Sequence, residues 1–341
     1  MALDLSLAVP LFLLCAAVIA VGGVAMTTVA DCLADRTGLG EALVGGILLG
    51  ISTSFSGTVT SITAAVEGHA ALAVSNGVGG IAVQTVFLAV GDILYRRANL
   101  EHAAASATAL AQLGLLLLLL GLPLMAATMP AISFAGLHPV SAVLVVVYIL
   151  GVRLTRSVQQ QPMWFPQRTA ELRVDLPEAD PFPTVSTPAL ALRYAVLAVI
   201  LGLAGWGIAQ TGMDIVRATD LSQSFVGAAF TATSTSLPEL VITLAAVRRG
   251  ALQLAVSGIV GGNTFDVLFL VLSDAGYRGG SIYHAVGMPE LFLIAWAIVM
   301  SAVLMLGLLH REKRGWAAIG WESVTLIGIY LAGLVMQVWA L

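Results

Sequence analysis

Residues 231–243 read TATSTSLPELVIT, and residues 50–60 read GISTSFSGTVT. They hold corresponding places in two halves of the chain. Sliding one half along the other by 182 residues lays positions 44–96 over 226–278 without a gap, and 20 of the 53 aligned positions are identical. Ser52-Thr53-Ser54 falls on Ser234-Thr235-Ser236, Gly68 on Gly250, and Leu72-Ala73-Val74-Ser75 on Leu254-Ala255-Val256-Ser257. Gly79-Gly80 falls on Gly261-Gly262, and Asp92 with Tyr95-Arg96 on Asp274 with Tyr277-Arg278. Apolar helices match by composition alone at Ala, Val and Leu. Polar matches in an unslipped register are the informative ones, and they identify an internal duplication.

What is duplicated is a membrane unit. Hydrophobic residues make up 59% of the 341 positions and charged residues 10%, where a soluble domain is about a quarter charged. Apolar runs fall at about 7 to 30, 42 to 66, 70 to 94, 104 to 127, 136 to 154, 189 to 213, 224 to 248, 252 to 276, 286 to 309 and 319 to 340. A helix needs about 20 such residues to cross a bilayer. The longest polar interval, 155–188, contains Gln159-Gln160-Gln161-Pro162, Asp175, Pro177 and Pro181 and reads as a loop. The expected organisation is an all-α integral membrane protein of ten transmembrane helices: spans 1–5 in residues 1–154, a loop at 155–188, and spans 6–10 in residues 189–341. The opening Met1-Ala2-Leu3-Asp4 lacks a positive stretch and a small-residue cleavage site, so the first run is expected to persist as a helix. Cys15 and Cys32 have neither CxxC nor disulfide spacing and read as packing residues.

Positive residues are retained on the cytoplasmic side of short loops. Thirteen Lys and Arg lie on one side of this plan and two, Arg217 and Arg278, on the other. The central loop is therefore expected in the cytoplasm of a multi-pass inner or plasma membrane protein, with both termini extracytoplasmic. Five spans per half then force the two repeats into opposite orientations. A net charge of −4 without a basic tract gives nucleic acid nothing to hold. Inverted repeats with polar, Gly-interrupted helices in matching places characterise secondary transporters, whose sites lie near the midplane between repeats.

A charged side chain inside a span costs about 2.5–3.5 kcal/mol on insertion scales, so each is a functional candidate. Glu239 and Asp266 lie near the middles of the seventh and eighth runs. Asp92 and Asp274 lie near helix ends, Glu41 and Glu67 at loop edges, and Glu290 and Glu322 in first turns, where a carboxylate complements the helix dipole. Pro238 removes an N–H and disfavours helix just before it, so carbonyls of Ser234–Leu237 are expected to lose partners beside Glu239. Hydroxyls, freed carbonyls and a carboxylate form an oxygen-rich site of the kind hard cations take. Alternatively, the stretch is a proline kink whose hydroxyls bond back to the helix. The first half carries Ser56 and Gly57 where the second has Pro238 and Glu239, and Gln84 where it has Asp266. The second half has Asn263 where the first has Ile81. For Gly79, Gly80, Gly261 and Gly262, close helix packing is as good a reading as a role at the site.

Together these residues resemble the sodium/calcium exchanger, or calcium:cation antiporter, family, whose repeats each carry a GTSLPE-like bend followed by a GNxxGSN-like segment. TSLPE at 235–239 matches the bend, and residues 256–263 match the second segment loosely. In the first repeat Thr53-Ser54 and Asn76 match. The resemblance implies a ten-helix antiporter with no covalent chemistry and no cofactor beyond the transported cation: calcium, sodium or a proton. It implies cation ligation by Glu239 and Asp266, with Thr53, Ser54, Thr235, Ser236, Asn76, Gln84 and Asn263 supplying neutral oxygens. Gly57 and Pro238 stand at the bends, and Gly80 and Gly262 replace family serines. Because Gly57 replaces a family glutamate, only Glu239 and Asp266 remain as anionic ligands, a charge of −2 that balances one divalent ion. Two carboxylates buried without a counter-ion also make protons candidate coupling ions. Two other readings are a non-transporting relative acting as a membrane sensor or partner, motivated by Gly57, and an intramembrane serine hydrolase, motivated by the serine-rich run ending Ser56-Gly57. Against the latter, His69, His102, His138, His284 and His310 lie at helix ends or in loops, with no base at the depth of those serines. The expected partners are inorganic cations and lipid.

Overall fold

The computed structural model describes residues 3–37, 50–134, 136–167, 169, 181–315 and 319–339. The named elements are helices, in the order α1 (Leu5–Thr37), α2 (Phe55–Val66), α3 (Ala70–Leu94), α4 (Leu100–Ala104), α5 (Ala107–Thr128) and α6 (Pro139–Gln160), then α7 (Thr187–Ala218), α8 (Gln223–Thr235), α9 (Leu237–Arg249), α10 (Leu252–Gly276), α11 (Ile282–Ala285), α12 (Met288–His310) and α13 (Trp321–Trp339). Eight of these are long and apolar enough to cross a membrane, and α8 with α9, bent by 49°, makes a ninth span. Of the second apolar run, 42–49 lie outside the described residues. Its remainder is a helical stretch at 50–53 followed by the short apolar helix α2. Several helix boundaries differ from expectation, two of them by six or seven residues. α1 runs on to Thr37 and α6 to Gln160, because backbone bonding continues past the apolar stretch wherever polar side chains reach water.

The 182-residue offset extends beyond the aligned segment. Displaced by that interval, α1 starts on α7, α3 coincides with α10 end to end, α4 starts on α11, and α6 starts on α13. Gly68 and Gly250 take the same left-handed turn, φ +85° and +82°, which lets each chain leave α2 or α9 and enter the next helix. Polar braces repeat as well. Asp92 accepts hydrogen bonds from Leu100 N (2.7 Å) and Gly320 N (2.9 Å); Asp274 accepts them from Ile282 N (3.0 Å) and His138 N (2.8 Å). Each aspartate thus satisfies orphan N–H groups at the start of one helix of its own half and one of the other half. His102 Nδ1 lies 2.7 Å from Arg311 O, and His284 Nε2 lies 2.7 Å from Met129 O.

α3 is the central element: 78% of its apolar window is buried, against 22% for α7 and 33% for α1. Small residues permit this. A β-carbon at Gly79 would fall 2.5 Å from Ala228 Cα, so α3 crosses α8 at backbone contact. α1 and α7 pack antiparallel on the periphery, as Leu201 meets Gly22 and Cys15 meets Gly207.

The carboxylates expected to serve helix ends do so unequally. Glu290 accepts from Gly287 N at 2.8 Å at the start of α12 and from the Ser224 hydroxyl. Glu322 instead turns inward, fully buried against Gly307 and facing the equally buried Glu101.

A candidate cation site between the two halves

Both Ser-Thr-Ser stretches break their helices at the third residue. Ser54 has φ −92° and ψ 8°, and Ser236 has φ −95° and ψ 5°. The same break occurs with Pro238 two residues on and with Ser56 in its place, which corrects the expectation that proline causes it. Each bend faces the centre of a long helix of the other half, Ser236 meeting Gln84 of α3 and Ser54 lying near Asp266 of α10. α8 enters its bend through a π-helical turn, Val226–Thr231, an irregularity that often marks functional positions.

The bends and the centres of α3 and α10 enclose a cavity lined by polar Ser54, Asn76, Gln84, Thr235, Ser236, Glu239 and Asp266, together with Gly57, Gly80 and Phe269. About 10 Å³ of it is open to a water-sized sphere, room for one water or one bare monatomic ion. Glu239 is 6% exposed and Asp266 2%. Gln84 Nε2 donates to Asp266 Oδ2 at 2.8 Å and to Ser236 Oγ at 3.1 Å. Gln84 and Asp266 are themselves 182 residues apart, so equivalent positions of the two halves touch at the cavity. α10 is locally distorted just after Asp266, at Val267, whereas α3 passes Gln84 unbroken.

The cavity wall has more acceptors than donors. Both Glu239 oxygens, Asp266 Oδ1, Gln84 Oε1 and Ser54 Oγ are buried without a well-formed hydrogen bond, although the Ser54 hydroxyl lies close to both carboxylates and Thr53 close to Glu239. A buried carboxylate oxygen left unpaired costs several kcal/mol, and among the described residues no Lys or Arg lines the cavity. Such a wall is satisfied by a cation. Among the described residues no three His, Cys, Asp or Glu side chains cluster as a metal site, so the two carboxylates act with neutral oxygens or not at all.

The remaining expected residues divide. Asn76 reaches the cavity but is fully engaged, donating to Gly57 O (3.1 Å) and Ser61 Oγ (2.9 Å) and accepting from Thr231 Oγ1 (2.8 Å). It holds the two bends in register. Thr53 lies near Glu239 with its hydroxyl bonded back to Gly50 O. Thr235 likewise bonds back to Ala232 O. Asn263 stands outside the wall, its Nδ2 on Ile81 O (3.4 Å) and Thr85 Oγ1 (3.3 Å). Gly80 and Gly262 leave ordinary contact room for a β-carbon near Ser236, Asp266 and Gln84, while Gly261 faces Gln112 and Pro238 packs on Gly23. The Ser56 hydroxyl donates to Thr235 O at 3.5 Å.

Phe269 was not foreseen. Its ring edge lies 2.9 Å from where a Gly57 β-carbon would stand, so it occupies the direction a side chain at 57 would take. The repeat held a signal, since Phe87 and Phe269 are aligned identities. Aromatic residues in an apolar helix do not distinguish themselves otherwise.

A bundle of apolar helices with a small cavity carrying two carboxylates between its halves defines a polytopic membrane protein. Comparison with known proteins carries this further. The family model for the sodium/calcium exchanger protein matches residues 7–155 and 189–339, and the chain belongs to that family of secondary transporters. The sodium/calcium exchanger MaX1 of Methanosarcina acetivorans is 32% identical over 116 residues, 34% of this chain and 31% of that protein. An uncharacterised membrane protein of Methanocaldococcus jannaschii is 26% identical over 147 residues, 41% of this chain and 44% of that protein. The chain thus spans less than half the length of each of these relatives. In fold it is similar to the crystal structure of the H+/Ca2+ exchanger CAX, with a TM-score of 0.68 and 12% identity over 96% of this chain and 81% of that one. It is similar also to the sodium-calcium exchanger NCX_Mj, with a TM-score of 0.59 and 19% identity over 96% and 98%.

Proposed function

We propose that this protein is a secondary active cation antiporter of the sodium/calcium exchanger type, with calcium the favoured cargo and sodium or protons the counter-ion. The observation that carries the reading is the ring of five buried oxygens without a well-formed hydrogen bond, from Glu239, Asp266, Gln84 and Ser54, around a cavity of single-ion size. Glu239 and Asp266 supply the charge, and Gln84, Ser54, Thr53, Thr235 and Ser236 supply neutral oxygens or fix the carboxylates. Asn76, Asn263 and the glycines keep the bends and long helices in place. The matched elements and braces at an offset of 182 support ten spans in two inverted repeats. The charge bias supports a cytoplasmic central loop and extracytoplasmic termini. Alternating access then consists of the two halves rocking about the shared Gln84–Asp266 contact.

The test is flux through proteoliposomes across a panel of cations, with sodium and proton gradients imposed separately. Glu239→Gln keeps the side chain's shape and removes its charge; it is expected to abolish exchange. Exchange by that variant at the wild-type rate would overturn the assignment. Equal rates at acidic and alkaline pH, indifferent to a proton gradient, would exclude proton coupling. The second reading, a relative that binds without transporting, is favoured by one observation: Phe269 fills the direction that a side chain at Gly57 would take. Cation binding without flux under every gradient would select it.

A further inference from the structure

A second cavity lies on the outer face of the bundle, along the seam between α1 and α7. It is a groove of about 570 Å³, within the 300–1,000 Å³ that ligand sites occupy. Its walls are apolar: Ala25 and Val29 from α1, Leu192 and Val196 from α7, with the Phe182 ring at one end. The charged side chain in that wall is Arg193, whose guanidinium lies 5.7 Å from the centre of the Phe182 ring. The surface continuing along α7 faces lipid, with Val199 and Leu203 both 64% exposed. Arg193 sits in the second turn of a 32-residue helix, longer than a hydrocarbon core requires, which places its head group at the membrane interface. The neighbouring Arg36 is already committed to the carbonyls of Phe182 and Val185, so it fixes the groove's end wall and leaves Arg193 to face an incoming charge.

We propose that this groove binds an anionic phospholipid from the bilayer, with an acyl chain along Ala25, Val29 and Val196 and the phosphate on Arg193. The composition selects this occupant. An apolar trough open to lipid accepts a hydrocarbon chain, and one interfacial cation at its mouth adds preference for a net negative head group over a zwitterionic one. Half a turn from Ala25, Gly23 meets the Pro238 ring so closely that a β-carbon there would fall 2.3 Å from Cγ. α1 thus has the groove on one face and the helix that carries Glu239 on the other.

The experiment is lipid retention by the purified protein in mixed micelles of phosphatidylglycerol and phosphatidylcholine, read by native mass spectrometry. It does not depend on transport. Wild type is expected to retain phosphatidylglycerol about fivefold over phosphatidylcholine, the value of one interfacial cation. Arg193→Gln is expected to erase the preference, and Arg193→Lys to keep most of it. Ala25→Phe, which fills the trough from an exposed position, is expected to lower retention of both lipids. Equal retention of the two lipids by wild type, or an unchanged preference in Arg193→Gln, would overturn the proposal.

Discussion

Gly57→Glu puts a carboxylate at the position where the resemblance implies one, and the structure predicts that the substitution alone overpacks the site. The added β-carbon would lie 2.9 Å from Phe269 Cε2 and 3.3 Å from Cζ, with Thr235 Oγ1 at 3.4 Å. Ordinary contact begins near 3.4 Å, so the ring must move by about 0.5 Å, yet it is 4% exposed and packed edge-on against Phe265. Overpacking of this kind costs ~1–3 kcal/mol. Phe269→Ala alone leaves a cavity worth ~3–5 kcal/mol. If the ring is the obstacle, the double variant loses the overlap, and its destabilisation falls short of the sum by ~1–3 kcal/mol. Equilibrium unfolding of the four proteins in detergent measures that cycle. Repeating it with calcium at 100 times its Kd adds ~2.7 kcal/mol to whichever protein binds it, and a third carboxylate is expected to lower the calcium concentration needed. Costs that add within ~0.5 kcal/mol would refute Phe269 as the barrier. A double variant that needs more calcium than wild type would refute the placement of position 57 at the site.

Three further outcomes follow from buried groups elsewhere. Burial, then the adjacent Asp92 and Glu322 carboxylates, hold Glu101 protonated well above the usual carboxylate range. The folded state therefore keeps a proton that the unfolded state releases, and stability declines as pH rises above that range by up to ~1.4 kcal/mol per pH unit; Glu101→Gln is expected to flatten this slope in pH-dependent unfolding. Asp274→Ala strands His138 N and Ile282 N and leaves the Ser141 hydroxyl with Tyr283 alone; it is expected to cost ~1–3 kcal/mol per stranded group, while leaving the cation preference of the surviving folded protein unchanged in a binding assay. Gly79→Ala drives a methyl into the Ala228 backbone and is expected to cost ~1–3 kcal/mol by thermal unfolding.

Hydropathy, charge bias and the 182-residue match were enough to read a duplicated helical membrane protein, because lipid allows few alternatives to an apolar helix and because duplication copies local sequence. They also located Glu239, Asp266 and the two bends, since a carboxylate or a broken helix at membrane depth is costly enough to stand out. The same reading picked out Asp92 and Asp274, though not what they hold. Their partners, Gly320 and His138, lie in the opposite half, and long-range pairing leaves no local trace. For the same reason only the folded chain brings Gln84 onto Asp266, diverts Asn76 to brace both bends, and sets Asn263 outside the cavity. Proline looked like the origin of the bend because local rules assign breaks to proline. The matching break at Ser54, with no proline near, shows that proline is not required for it. Phe269 is the plainest case: one phenylalanine among 11 in the chain acquires its meaning from the 2.9 Å that separates it from an absent side chain at Gly57, and that distance exists only in three dimensions.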